Sequence, residues 1–148
     1  MLSIKAVTHW SIAVNDLAES ERFYGDALGM KHLGRLGSGK MSCFTVGGHN
    51  ILLCQRRTAK PNNPDEDSRL HHAFEVTPEE WDKAVLLFHE LGVRQAEPLV
   101  YRETGYFPGR EMHVLDPSGN RIEIRDATWQ AGMPAPTYEE IVAAAGTI

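Results

Sequence analysis

The chain has 148 residues, 42% hydrophobic and 24% charged, the composition of one globular domain and not of a disordered segment. Fifteen Lys and Arg against 20 Asp and Glu give a net charge of −5, which argues against a nucleic-acid or anionic-membrane partner, since both need a basic footprint. Only two cysteines occur, Cys43 and Cys54, so a disulfide framework and an all-sulfur metal site are excluded. Seven histidines leave room for a metal held by nitrogen and oxygen donors.

Residues 1–9 lack the apolar run of a secretory signal, and no stretch approaches the roughly 18 apolar residues of a spanning helix. The expectation is a soluble cytoplasmic protein with both cysteines reduced. Along the chain, 5–14 reads as a strand rich in β-branched residues. Asp16, with Glu19 three residues on, has the spacing of a capping box and opens a helix through Phe23, Tyr24 and Leu28 to Gly29. Short strands are expected near 30–35, 41–46 and 51–55, with a turn at Gly47-Gly48-His49-Asn50. Lys60 to Ser68 is polar and proline-rich, a linker by composition.

The same order then recurs. Leu70 to Val76 reads as a strand; Thr77, Pro78 and Glu80 start a second helix. Trp81, Val85, Phe88 and Leu91 form its apolar stripe, and Gly92 stops it. Strands are expected at 93–101, 111–115 and 121–126, with Asp116-Pro-Ser-Gly-Asn120 as a turn. Thr137 with Glu140 caps a short C-terminal helix. The expected architecture is α+β: one domain over 1–128, made of modules at about 4–57 and 69–126, and a tail over 129–148. Each module reads as strand–helix–strand–strand–strand.

Alternate strand residues share a face. In the first strand, Trp10, Ile12 and Val14 form the apolar face and His9, Ser11 and Ala13 the other. In 70–76, His72 and Phe74 lie on one face, His71 and Ala73 on the other. In 121–125, Ile122 and Ile124 oppose Arg121, Glu123 and Arg125. Three small or polar faces thus carry one candidate metal ligand each: His9, His71 and Glu123. Two imidazoles and a carboxylate form a facial triad, which leaves coordination positions open for water, substrate or dioxygen.

Three stretches carry a family resemblance: His9-Trp-Ser-Ile-Ala-Val-Asn-Asp-Leu-Ala-Glu-Ser-Glu-Arg-Phe-Tyr-Gly-Asp-Ala-Leu-Gly-Met30, His71-His-Ala-Phe-Glu-Val76 and Leu115-Asp-Pro-Ser-Gly-Asn-Arg-Ile-Glu-Ile124. In order and spacing they resemble the vicinal oxygen chelate superfamily, which includes glyoxalase I, extradiol dioxygenases, fosfomycin-resistance enzymes and bleomycin-resistance proteins. The resemblance implies paired βαβββ modules with mixed sheets around a U-shaped, metal-lined cavity. It implies metal-ligand roles for His9, His71 and Glu123, with His71 preferred to His72 by face as well. A homodimer is also implied, and in some members one site draws ligands from both chains.

Departures from the family patterns bear on the branch. Glyoxalase I-like members take a fourth ligand from the last strand of the first module. Aligning the two turns puts Leu53 there, with Gln55 on the same face as the only substitute. Fosfomycin enzymes use an arginine shortly after the ligand glutamate, whereas this chain has no Lys or Arg after Arg125. Extradiol enzymes place a proton-handling Tyr where His113 stands here. An imidazole suits that acid–base role.

The leading expectation is therefore a metalloenzyme, a ring-cleaving extradiol dioxygenase with one divalent metal per chain. Fe(II) is favoured, with Mn, Ni or Zn as substitutes. His113 and Tyr106 are the expected catalytic groups, and Ser11, Tyr101 and Arg110 the expected contacts to a small-molecule substrate. The alternatives are a glyoxalase-type lyase or isomerase, a fosfomycin-type resistance transferase, and, in another class, a metal-free drug-binding protein.

Overall fold

The computed structural model describes residues 1–60 and 69–146. Beyond Lys60, the expected linker lies outside the described residues. The chain divides into two compact units, Met1–Asn62 and Asn63–Ile148.

The first unit runs β1 (His9–Val14), α1 (Leu17–Glu21), β2 (Lys31–Leu36), β3 (Met41–Val46) and β4 (His49–Gln55). Its four-stranded sheet has the order β1-β4-β3-β2, with β1 parallel to β4 and the other pairs antiparallel. The strand expected from residue 5 begins only at His9, and the residues before it are exposed. Asp16 caps α1 by accepting from the Glu19 backbone N–H at 2.8 Å. The helix then widens into a π-helical stretch, Arg22–Ala27, and the Leu28 N–H reaches the Phe23 carbonyl. Gly29, at φ +72°, turns the chain into β2, a conformation that L side chains rarely adopt. Ile12, Val14, Tyr24, Phe44 and Leu53 are fully buried under this helix. Trp10, expected among them, is mostly exposed at the start of β1.

The second unit repeats the pattern with β5 (His72–Glu75), α2 (Pro78–Glu90), β6 (Val100–Arg102), β7 (Gly109–Leu115), β8 (Arg121–Asp126) and an added α3 (Tyr138–Ala145). Its sheet has the order β5-β8-β7-β6, again with a parallel first pair. The strand expected over 93–101 is reduced to a single bridge, Gln95 to Val114, and to β6. Pro98, between them, has no N–H to offer a ladder. Trp81, Val85 and Phe88 form the buried stripe of α2, each side chain contributing about 1.5–3 kcal/mol of burial. The Trp81 indole donates to the Ile124 carbonyl at 3.2 Å, which ties α2 to β8. Gly109 is required where it stands, because at φ +133° a Cβ would lie 2.4 Å from the Asp126 carbonyl oxygen. Both bonds of a capping box are formed at Thr137 and Glu140 of α3.

Two four-stranded mixed sheets, each with helices on its apolar face, make the α+β architecture of paired βαβββ modules.

Candidate metal centre

The ladder places the polar groups of the second unit. Ala73 on β5 pairs with Glu123 on β8, and Glu123 pairs in turn with His113 on β7. His71 precedes β5 and shares the face of Ala73, so its ring falls beside Glu123. Its Nε2 is 3.7 Å from Glu123 Oε2. Nδ1 of His71 lies 2.9 Å from the Arg69 carbonyl oxygen. A carbonyl can only accept, so Nδ1–H is the donor of this bond, and Nε2 is left facing Glu123. This is how metal-binding imidazoles are oriented. His72 takes the other face; burial pushes its pKa down, opposed by the charge of Asp116.

Glu123 is 6% exposed and Glu111, on the same face of the sheet, 3%. Burial first, then the neighbouring Glu111 charge, push the Glu123 carboxyl above its ordinary range. Burial also works on Glu111, but Arg102 and His113 outweigh it and hold this carboxyl below its usual range. Arg102 is a two-pronged partner of Glu111, its Nε donating at 3.0 Å and its Nη2 at 3.3 Å. His113, 6% exposed, turns its Nε2 toward Glu97 at 3.3 Å, Glu111 at 3.4 Å and Glu123 at 3.6 Å. Glu97 also pairs with Arg121 at 3.5 Å. Glu111, Glu123 and His113 gathered out of water with the exposed His71 beside them, one carboxyl driven toward its protonated form, suit a cation that could take the proton's place.

The other expected site residues belong to the first unit, to the other side of the second sheet or to the loop before β7. His9 opens β1 in the first unit, exposed, its Nδ1 2.9 Å from the Thr8 hydroxyl. Ser11 shares its strand face and pairs with Leu52. Arg110, expected to hold substrate, faces the helix side instead. Its Nε donates to Asp126 at 2.8 Å, its Nη1 to Asp82 at 2.9 Å, and the guanidinium stacks on Trp81 at 4.1 Å. Strand alternation explains this, since Arg110 and Met112 point opposite to Glu111 and His113. Tyr101 likewise spends its hydroxyl on the Pro136 carbonyl at 2.6 Å and packs against Trp129. Tyr106 is 96% exposed in the loop before β7.

The fourth-ligand alignment shifts by one residue. Ser11 pairs with Leu52 as Ala73 pairs with Glu123, so Leu52, not Leu53, stands in the place of Glu123. Leu53 is in the core, and Gln55 turns toward the helix, accepting from the Leu17 N–H at 3.3 Å. Leucine cannot ligate, so the first module still offers no fourth donor from β4. The groups that sequence reading missed are Glu111 and Glu97, and Arg102, considered with Arg110 as a cation for a phosphonate, is spent on Glu111. Glu111 was legible as the residue two before His113 on one strand face; Glu97 needed the sheet to assemble.

A family model described as Glyoxalase/Bleomycin resistance protein/Dioxygenase superfamily matches residues 6–124. The chain belongs to this superfamily. It is 24% identical over 132 residues to a glutathione transferase, FosA, of Serratia marcescens, covering 89% of this chain and 88% of that protein. Among solved structures it resembles a glyoxalase/dioxygenase from Nostoc punctiforme, with TM-score 0.68, 26% identity and coverage of 85% and 97%. It shares the fold of a mutant fosfomycin resistance protein, FosX, from Listeria monocytogenes, complexed with Mn(II) and dihydroxypropylphosphonic acid, with TM-score 0.67, 19% identity and coverage of 85% and 95%. The curated relative is a transferase, the type held above as an alternative, and not an extradiol dioxygenase. No helix among the described residues is long and apolar enough to cross a membrane.

Proposed function

We propose that this protein is a divalent-metal-dependent enzyme of the resistance-transferase type. It would add a nucleophile to a small substrate bearing neighbouring oxygens. The observation that carries the reading is the His71–Glu123 pair, with Nε2 of His71 presented by the Arg69 carbonyl and facing Glu123 Oε2 at 3.7 Å. His9, His71 and Glu123 would hold the metal, and Ser11 would line the substrate side. The bound ion supplies Lewis acidity toward a substrate oxygen. His71 offers a neutral nitrogen, Glu123 a charge, and the buried wall of Glu111 and His113 keeps water from the Glu123 carboxyl. Mn(II) is the first choice for a mixed carboxylate and imidazole set, and it is the ion in the FosX structure. Fe(II), Ni(II) and Zn(II) are the alternatives. A cytoplasmic homodimer belongs to the same reading and rests on the family resemblance.

A second reading is supported by the arginines. A phosphonate dianion needs cationic partners, yet Arg102, Arg110, Arg121 and Arg125 are each engaged, the last with the Pro108 carbonyl. A ring-cleaving dioxygenase acting on a catecholate held by the metal makes less demand on free cations. In that case Nε2 of His113 would carry the proton.

The two are separated by assaying Mn(II)- and Fe(II)-loaded protein. One arm follows thiol consumption with a panel of epoxides, with and without a phosphonate. The other follows oxygen uptake with a catechol panel. Thiol consumption that falls at least about a hundredfold in His9→Ala and His71→Ala supports the transferase. Oxygen uptake without thiol consumption transfers the assignment to the dioxygenase. Protein that binds none of the four metals overturns both and leaves a metal-free binding protein.

A further inference from the structure

Glu123 has two sides. Oε2 faces His71, and Oε1 faces His113 Nε2 at 3.6 Å. The second side is built without any residue of the assigned triad except Glu123 itself. One ligand atom each from Glu111, His113 and Glu123 lies within 4.8 Å of the other two. Donors bonded at about 2.0–2.2 Å to one ion stand roughly 3–4 Å apart, and His113 Nε2 stands 3.4 Å from Glu111 and 3.6 Å from Glu123.

We infer that the second unit holds a second divalent cation, bound by Glu111, His113 and Glu123, with the Glu123 carboxylate shared between this ion and the one at His71. The inference rests on the metal reading above but places this ion on the opposite oxygen of Glu123.

Three observations support it independently of the family. All three side chains are more than nine-tenths buried. A buried carboxylate pair is costly without a positive partner between its members. Arg102 holds Glu111 through Nε on Oε1 and Nη2 on Oε2, and that same Oε2 faces His113 Nε2 at 3.4 Å. Finally, Nδ1 of His113 is buried without a hydrogen-bond partner, while its Nε2 is aimed into the carboxylates. Two carboxylates and one imidazole form a hard, oxygen-rich set that suits Mn(II) or Mg(II). In this assignment His113 is a metal ligand and not a proton carrier, so it excludes the proton role that the dioxygenase reading gives it.

The test is the stoichiometry of Mn(II) on the full chain, by equilibrium dialysis with elemental analysis and by EPR. Two equivalents per chain are expected in the wild type, with spectral broadening from two neighbouring ions. Glu111→Gln should remove one equivalent and the broadening. Arg102→Gln, which keeps the donor and removes its outer partner, should retain both. His71→Ala should remove the other equivalent and spare the one that Glu111 holds. Circular dichroism checks folding, and His113→Gln repeats the test should Glu111→Gln fail to fold. A single equivalent in the wild type overturns the inference while leaving the His71-centred reading intact. So does a second equivalent that survives Glu111→Gln. Retention of both ions in His71→Ala would instead overturn the His71 position.

Discussion

β4 and β8 hold the same place in two sheets of the same strand order, each parallel to the first strand of its module and antiparallel to the third. Register matches them residue by residue. Leu52 pairs with Cys43 as Glu123 pairs with His113, and Cys54 pairs with Met41 as Arg125 pairs with Glu111. The face that carries four charged or imidazole groups in the second unit carries leucine, methionine and two thiols in the first. The opposite faces do not diverge in this way: Leu53 and Ile124 both pack into apolar cores. The backbone and the core have thus kept the repeat, and chemistry has been concentrated on one face of one module. In the other module the polar residues of this face, His9, Ser11, Asn50 and Thr45, include no carboxylate.

The largest effect should come from making the second module resemble the first at its central position. Glu123→Leu removes the one residue common to every proposed metal contact, and Mn(II) affinity should fall at least about a thousandfold, a loss of roughly 4 kcal/mol or more. Leu52→Glu, the reverse exchange, should create no metal binding of its own, because Cys43 and Met41 stand where His113 and Glu111 do and leave the exposed His9 as its one imidazole neighbour. It should instead lower stability by about 1–3 kcal/mol, the cost of an unpartnered polar group in a partly buried position. Calorimetric titration with Mn(II) and thermal melts measure both. Metal binding by the Leu52→Glu protein would show that the first module's face is poised as well, and would break the contrast.

The modular fold and the Glu123 side of the site were legible because both follow from local periodicity. Strand alternation separated His71 from His72 and Glu123 from Ile124 before any strand was paired. The same alternation, applied to residues 109–115, would have turned Arg110 toward the helix with Met112, where it lies. What failed was anything set by partners distant in sequence. Arg110 meets Asp82 on α2, and Tyr101 meets the Pro136 carbonyl beyond β8. Glu97 approaches His113 only because the chain after α2 crosses back at the Gln95–Val114 bridge. The turn-based alignment slipped by one residue at Leu53 because it fixed on glycines and not on the strand pair, and a one-residue slip exchanges the two faces of a strand.

Arg110 supplies the next largest effect. It is a cation of the second unit that the core face has claimed, held by Asp126 and Asp82 and laid on Trp81. Asp126 is 1% exposed, and Arg110→Ala leaves it with only the Thr128 backbone and hydroxyl groups as donors. A loss of about 3 kcal/mol is expected for removing one partner of a buried pair, read from urea denaturation. Mn(II) affinity should stay unchanged. If binding or turnover falls while stability holds, Arg110 reaches the substrate after all and the face assignment is wrong.

The smallest effects, and the most discriminating, are those of pH on one carboxylate in each unit. In the first unit Glu21 is drawn below its ordinary range, chiefly by the Arg35 hydrogen bonds and helped by the Ser42 hydroxyl at 2.9 Å. A group whose folded pKa is depressed adds stability above its unfolded value and loses it as pH falls through the folded one. Glu21→Gln should therefore cost about 1 kcal/mol at pH 7, as partly exposed pairs do, and nothing once both states are protonated in strong acid. Glu123 in metal-free protein has the opposite sign. Its folded pKa is raised, so its favourable contribution is present below the unfolded value and disappears as pH rises through the folded one. Metal-free Glu123→Gln should then equal or exceed the wild type in stability at pH 7 and lose that advantage on acidification. Urea midpoints between pH 3 and pH 8 give the two slopes. Slopes of the same sign would mean that Glu111 and Glu123 are not in conflict. The second unit would then be balanced internally, as Glu21, Arg35 and Ser42 are in the first, with no electrostatic demand for a cation.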